Sequence, residues 1–165
     1  MHLLRIGVVG KDGKIDRDIV QTAEMIGRDI ARRDCVLICG GKGGVMEAVC
    51  RGVKSENGIT VGILPSLDKN DANPYVDITI TTGMGYARNA IVVSCSDVII
   101  VINGGIGTLS EVALALNYGK PVVAVKGSGG VADRIEEELI KMGITQEIHI
   151  TDPKNAVSLA LSLVR

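Results

Sequence analysis

The sequence predicts a three-layer αβα domain of α/β class with a mostly parallel sheet of about seven strands. Three observations predict it. Short, almost continuous apolar runs at residues 3–9, 35–39, 98–102 and 122–125 suit strands buried on both faces of a sheet. The segments between them repeat apolar residues at helical spacing. Twice, at residues 40–44 and 104–108, a glycine-rich turn joins a strand end to a helix start. Strands alternating with helices imply right-handed βαβ units, and so a Rossmann-like single domain over residues 1–165. At 17.3 kDa and 46% hydrophobic residues, one core suffices.

Residues 3–9 read as the first strand, ended by Gly10, and polar residues 11–14 as a loop. From Asp16, Ile19, Ala23, Ile26 and Ile30 recur on one helical face while Arg28, Arg32 and Arg33 point elsewhere. Residues 35–39 form a strand, 40–44 a turn, 45–55 a helix and 59–64 a strand, with Asn57-Gly58 as punctuation. Residues 65–74, polar with proline at both ends, read as a rim loop. Residues 76–81 alternate as a strand, 84–94 read as a helix, and 98–102 are a fully apolar strand. The helix after residue 108 carries Leu109, Val112, Ala113 and Leu116 on one stripe and closes at Gly119 before Lys120-Pro121. A strand at 122–125, a helix at 131–142, a short strand at 148–151 and a helix at 153–164 complete the chain.

Composition excludes several functions. A net charge of -1 lacks the basic surplus that binding a nucleic-acid backbone requires, so no nucleic-acid partner is expected. Residues 1–5 lack a charged leader, and the mostly apolar stretch 90–101 is interrupted by Ser94, Ser96 and Asp97 and too short to span a bilayer. A cytoplasmic protein with no membrane partner is the expectation. Cys35, Cys39, Cys50 and Cys95 lack C-x-x-C spacing, and His2 and His149 lie near opposite ends, so buried reduced thiols and no metal site are expected. Cys35 and Cys39 share a strand face but lie roughly 13 Å apart at about 3.3 Å per residue. With no Trp or Phe and only three Tyr, a ligand ring would have to pack on tyrosine or aliphatic side chains.

In an open parallel sheet, ligands bind outside the carboxyl ends of the strands near the point where strand order reverses. Both glycine turns belong to that edge. In Asn103-Gly104-Gly105-Ile106-Gly107-Thr108, missing Cβ atoms let backbone approach an oxyanion, and the new helix aims its free N–H groups at it. Thr108 adds a hydroxyl. Candidate phosphate-binding residues here are Asn103, Gly104, Gly105, Gly107 and Thr108; the first half of the chain adds Gly10, Gly40, Gly41, Gly43, Gly44 and Met46. Ser110 stands where the dinucleotide fingerprint has its third glycine, and no P-loop string occurs.

Glu111 lies one turn into its helix, and helical side chains lean toward the N-terminus, so its carboxylate should point at the loop. Arg88 is the lone cation in the apolar segment 84–94 and wants an anionic partner. On these residues alone, a structural ion pair and a catalytic pair weigh equally.

Residues 104–111, GGIGTLSE, resemble the P-G-G-x-G-T-x-x-E motif of the Lonely Guy family, also called "lysine decarboxylase-like". Residues 40–46, GGKGGVM, are similar to its upstream glycine turn, and Arg88 falls at its catalytic arginine. The resemblance runs from Ile6 to about Val125. It implies hydrolysis of nucleoside 5'-monophosphates to free base and ribose 5-phosphate, with Gly105, Gly107 and Thr108 on the phosphate and Arg88 and Glu111 flanking the ribose. Glu111 would then stabilise the developing oxocarbenium ion or orient water. Asn103 replaces the motif's proline and Asn89 the lysine after the arginine. In these features the chain resembles the subgroup of molybdenum-cofactor carrier proteins, which bind a phosphate-bearing pterin. No signature of a pyridoxal-phosphate decarboxylase is present, and no cofactor is required; molybdopterin or a nucleotide would be ligand.

Three readings follow: an N-glycosidase acting on nucleotides, a pterin carrier or nucleotide sensor, and a purely structural protein. The apolar residues 91–94 and 109–116 exceed the needs of one sheet face and predict a homodimer or a dimer of dimers. Base or pterin specificity would rest on the rim, with residues 65–74 and Tyr86 as candidates.

Overall fold

The computed structural model describes residues 2–164. Its strands are β1 (Arg5–Gly10), β2 (Val36–Cys39), β3 (Ile59–Leu64), β4 (Ile78–Thr81), β5 (Val98–Ile102), β6 (Val122–Val125) and β7 (His149–Thr151). The helices are α1 (Arg17–Arg32), α2 (Val45–Ser55), α3 (Asn89–Cys95), α4 (Ile106–Asn117), α5 (Gly130–Lys141) and α6 (Ala156–Ser162). All strands pair in parallel in the order β4-β3-β2-β1-β5-β6-β7. The expected Rossmann-like α/β fold is therefore present.

Strand alternation divides the core in two. Ile6 and Val8 of β1 and Val98, Ile100 and Ile102 of β5 face α1, α2 and α6. Val9, Ile99 and Val101 face α3, α4 and α5 on the other side. Central strands covered on both faces need apolar residues at every position, which is why β5 reads VIIVI. Asp97 is drawn to the start of β5 by Arg5, its carboxylate accepting from the Arg5 guanidinium at 2.7 Å.

Helices α1 and α2 approach unusually closely. A Cβ on Gly27 would lie 2.2 Å from the Val49 carbonyl oxygen, and one on Gly52 would lie 2.2 Å from that of Glu24. Glycine in two helix interiors, normally unfavourable by about 1 kcal/mol each, is explained by this crossing.

Several boundaries differ from expectation. Segment 84–94 is not one helix: a 3-10 turn at Gly85–Arg88 precedes α3. Gly83 (φ +64°) and Gly85 (φ +57°) are left-handed, which a right-handed helix does not accept. The last helix likewise divides into a 3-10 turn at Pro153–Asn155 and α6. The strand expected at 76–81 begins at Ile78 and lies at the sheet edge, half-exposed. On α4 the buried face is Thr108, Glu111, Val112 and Ala115, so Leu109 and Ala113 of the expected stripe point outward. Gly119 (φ +66°) closes α4 as expected, with Lys120 N–H donating to the Ala115 carbonyl and Gly119 N–H to that of Leu116.

Candidate functional site

Strand order reverses between β1 and β5, where Gly10 is in register with Ile102. A cleft of about 220 Å³ opens beyond these carboxyl ends, where the topology of such sheets places ligands. Its walls come from Val8 to Asp12, Gly40 and Met46, Tyr86, Arg88 and Asn89, and Gly105, Gly107, Thr108 and Glu111.

The loop from β5 to α4 is built by backbone conformation. Asn103 is left-handed (φ +55°), its side chain donating to the Ser128 carbonyl at 2.9 Å and accepting from Gly104 N–H. Proline, fixed near φ -65°, cannot occupy that position, so the loop follows a path of its own where the resembling motif has proline. At Gly104 (φ +112°) a Cβ would collide with Thr108 at 2.5 Å, whereas Gly105 faces open space. The first ladder bond of α4 runs from Leu109 N–H to the Gly105 carbonyl at 2.9 Å. The N–H groups of Ile106, Gly107 and Thr108 thus precede the helical ladder, and with the positive end of the helix dipole they form an anion-accepting surface.

Opposite this helix end lies Arg88, 8% exposed. One guanidinium nitrogen donates to the Gly40 carbonyl at 3.4 Å, and Asn89 Oδ1 accepts from another. Its Nε–H is buried with no partner among the described residues. A Cβ on Gly40 would sit 2.5 Å from the guanidinium, so glycine there makes room for the cation. Glu111, 7% exposed, places Oε1 4.0 Å from Arg88 Nη1, too far for a hydrogen bond. Burial pushes the Glu111 carboxyl up to about 7, against the opposing pull of Arg88. Asn89 links the two sides: its Nδ2 donates to Ser110 Oγ at 3.0 Å and to the Gly107 carbonyl at 3.4 Å. A buried cation with an unspent donor, facing a carboxyl whose pKa burial raises and a helix N-terminus, is suited to holding an oxyanion.

Of the candidate residues, the cleft unites Arg88, Glu111, Gly10, Gly40, Met46, Gly105, Gly107 and Thr108. Asn103 and Gly104 shape the loop from behind. Gly41, Gly43 and Gly44 are engaged elsewhere: a Cβ on Gly41 would meet Leu64 of β3 at 2.8 Å, Gly43 N–H donates to Asp12 Oδ1 at 3.0 Å, Val45 N–H to the Lys11 carbonyl at 2.9 Å, and a Cβ on Gly44 would meet that carbonyl oxygen at 2.2 Å. This turn is closed against residues 11–13, and Lys42 is tied to the Asp71 carbonyl at 3.3 Å. Sequence patterns missed Lys11 and Asp12, because a return of one loop onto another leaves no periodic trace. They also missed the bridging role of Asn89, visible only once Arg88 and Gly107 are juxtaposed.

Among the described residues no group of three or more His, Cys, Asp or Glu could hold a metal, and no helix is long and apolar enough to cross a membrane. Among the described residues no disulfide is formed; Cys35, Cys39 and Cys50 are buried and Cys95 is half-buried. Cys39 and Cys50 meet at 3.6 Å between sulfurs, a pairing across β2 and α2 that spacing did not foretell.

Fold and cleft define a Rossmann-like α/β protein with a polar site at its switch point. The chain belongs to the SLOG cluster4 family, of Lonely Guy type, whose model matches residues 3–157. It is 32% identical over 117 residues to the cytokinin riboside 5'-monophosphate phosphoribohydrolase of Mycobacterium tuberculosis, a match covering 66% of this chain and 63% of that one. Among solved structures, the molybdenum cofactor binding protein of Rippkaea orientalis superimposes with a TM-score of 0.90 at 38% identity, covering 100% of this chain and 99% of the other. The molybdenum cofactor carrier protein of Chlamydomonas reinhardtii gives 0.86 at 31% identity, covering 98% of each.

Proposed function

We propose that the cleft binds a phosphorylated, nucleotide-like ligand and hydrolyses the N-glycosidic bond of a nucleoside 5'-monophosphate. The observation that carries this reading is the pairing of Arg88, buried with an unspent Nε–H, and Glu111, both facing the α4 N-terminus. The phosphate lies on the N–H groups of Gly107 and Thr108, and the ribose between Arg88 and Glu111. Water oxygen attacks C1' as the C1'–N bond breaks, the base leaves with the electron pair, and the proton given up by the water ends on the base. Ionised Glu111 stabilises the positive charge developing at the sugar. The likeness to the M. tuberculosis hydrolase supports this.

A second reading, a cytoplasmic carrier of a phosphate-bearing pterin, is favoured by the left-handed Asn103 and by the near-complete overlap with two molybdenum-cofactor proteins. The two separate on one assay: incubation with a panel of nucleoside 5'-monophosphates, followed by chromatography of free base, with Glu111→Gln as control. Base released by the wild type and lost in the variant is the expected result. Equal turnover in the variant refutes the role of Glu111, and binding of molybdopterin without release from any nucleotide selects the carrier.

A further inference from the structure

The cleft is too small for the whole of the ligand proposed above. Its volume of about 220 Å³ falls below the roughly 300–1,000 Å³ of pockets that engulf drug-sized molecules. Its polar groups are also unevenly distributed. Arg88, Thr108 and Glu111, at 8%, 3% and 7% exposure, form the inner end. At the mouth stand Lys11, Asp12 and Tyr86, all exposed. Asp12 already spends Oδ1 on the N–H groups of Gly13 and Gly43, at 2.7 and 3.0 Å.

Tyr86 is the aromatic residue of this cleft and is 88% exposed. The other two tyrosines are placed elsewhere: Arg51 lies over the Tyr75 ring at 5.7 Å, and Tyr118 follows the far end of α4. Tyr86 sits on the same 3-10 turn as Arg88, two residues away, and both line the cleft, the guanidinium buried at its inner end and the ring exposed at its mouth. A large apolar ring left in water beside an anion site has an unused face.

We propose that Tyr86 is the stacking platform for the flat heterocycle of the ligand: phosphate and sugar occupy the inner part of the cleft, and the ring lies across its mouth on the tyrosine. Because stacking uses a π-face and not the hydrogen-bonding edge, the site selects phosphorylated sugars bearing a flat ring and discriminates weakly among rings. This inference rests on the nucleotide reading of the same cleft.

The test is calorimetry with two probes, ribose 5-phosphate and the carbocyclic analogue of AMP, whose ring carbon cannot form an oxocarbenium ion. Wild type should bind both, the AMP analogue more tightly. Tyr86→Ala should weaken the analogue about 5- to 150-fold, as loss of one base stack does, and change ribose 5-phosphate less than twofold. Tyr86→Phe should keep both affinities. The side chain is so exposed that neither variant should alter the melting temperature. Equal losses for the two probes in Tyr86→Ala, or no loss for the analogue, overturn the proposal while leaving the nucleotide reading in place. Failure of wild type to bind either probe overturns that reading and the proposal with it.

Discussion

Glu111 is a carboxylic acid that its surroundings change strongly. Burial raises its carboxyl to about 7, well above an ordinary glutamate, while Arg88 at 4.0 Å only partly opposes the shift. A group whose folded pKa exceeds its unfolded value holds its proton longer in the folded state. The native protein therefore binds more protons than the unfolded chain between the ordinary glutamate value and pH 7, and stability falls as pH rises through that window. The full shift corresponds to something on the order of 3 kcal/mol. Relative to wild type, Glu111→Gln should gain melting temperature between pH 5 and pH 8, by roughly 6–12 °C at most at about 2–4 °C per kcal/mol. Thermal melts of both proteins across that range provide the check; parallel curves would mean that Glu111 titrates as an exposed carboxylate.

At the scale of elements, α1 and α2 cross with their backbones in close approach. Helix propensity alone would make Gly52→Ala stabilising by up to about 1 kcal/mol. The new Cβ would instead stand 2.2 Å from the Glu24 carbonyl oxygen and 2.8 Å from the Glu24 Cα, atoms that cannot step aside without moving a helix. Overpacking of this kind typically costs about 1–3 kcal/mol. Gly52→Ala should therefore lower the melting temperature by roughly 2–12 °C in calorimetry, whereas a rise would show that the two helices do not touch there. Elements whose character lies in their own periodicity were legible in sequence: the apolar runs of β1 and β5, the Ile19, Ala23, Ile26, Ile30 face of α1, and the turn leading to α4. Elements decided by a neighbour were not. Gly27 and Gly52 have meaning only against one another, and α4 is rotated from its apolar stripe because Thr108 and Glu111 face the cleft. Much of the site shared this divide. Arg88, Glu111, Gly105, Gly107 and Thr108 could be named from their motif, while Gly43 and Gly44 close on residues 11–13, a contact between loops about thirty positions apart.

The whole molecule leaves one helix incompletely covered. Helix α4 is apolar nearly all round, and its buried side is taken up by the sheet and the cleft. On the other side Ile106 is 84% exposed, Leu109 40% and Tyr118 48%, with Ala113 exposed between them. A helix hydrophobic on every face belongs in an interior, and the patch continues past Leu109 to Val131 and Met142 along an apolar groove of about 510 Å³ beside α5. A second copy presenting the same surface about a twofold axis would cover it in an isologous interface, which in stable complexes buries about 800 Å² per partner. We therefore expect a homodimer, or a dimer of dimers, built on α4. Light scattering should return a mass of at least two chains, and Leu109→Glu should shift it toward one chain while leaving the fold intact, because that side chain is not part of either core cluster. A monomeric mass for the wild type would refute the interface. Because Gly105, Gly107 and Thr108 open the same helix, such a dimer would set two anion-accepting ends beside one interface, so the Leu109→Glu variant should also weaken binding of ribose 5-phosphate, although Leu109 is not among the residues that line the cleft.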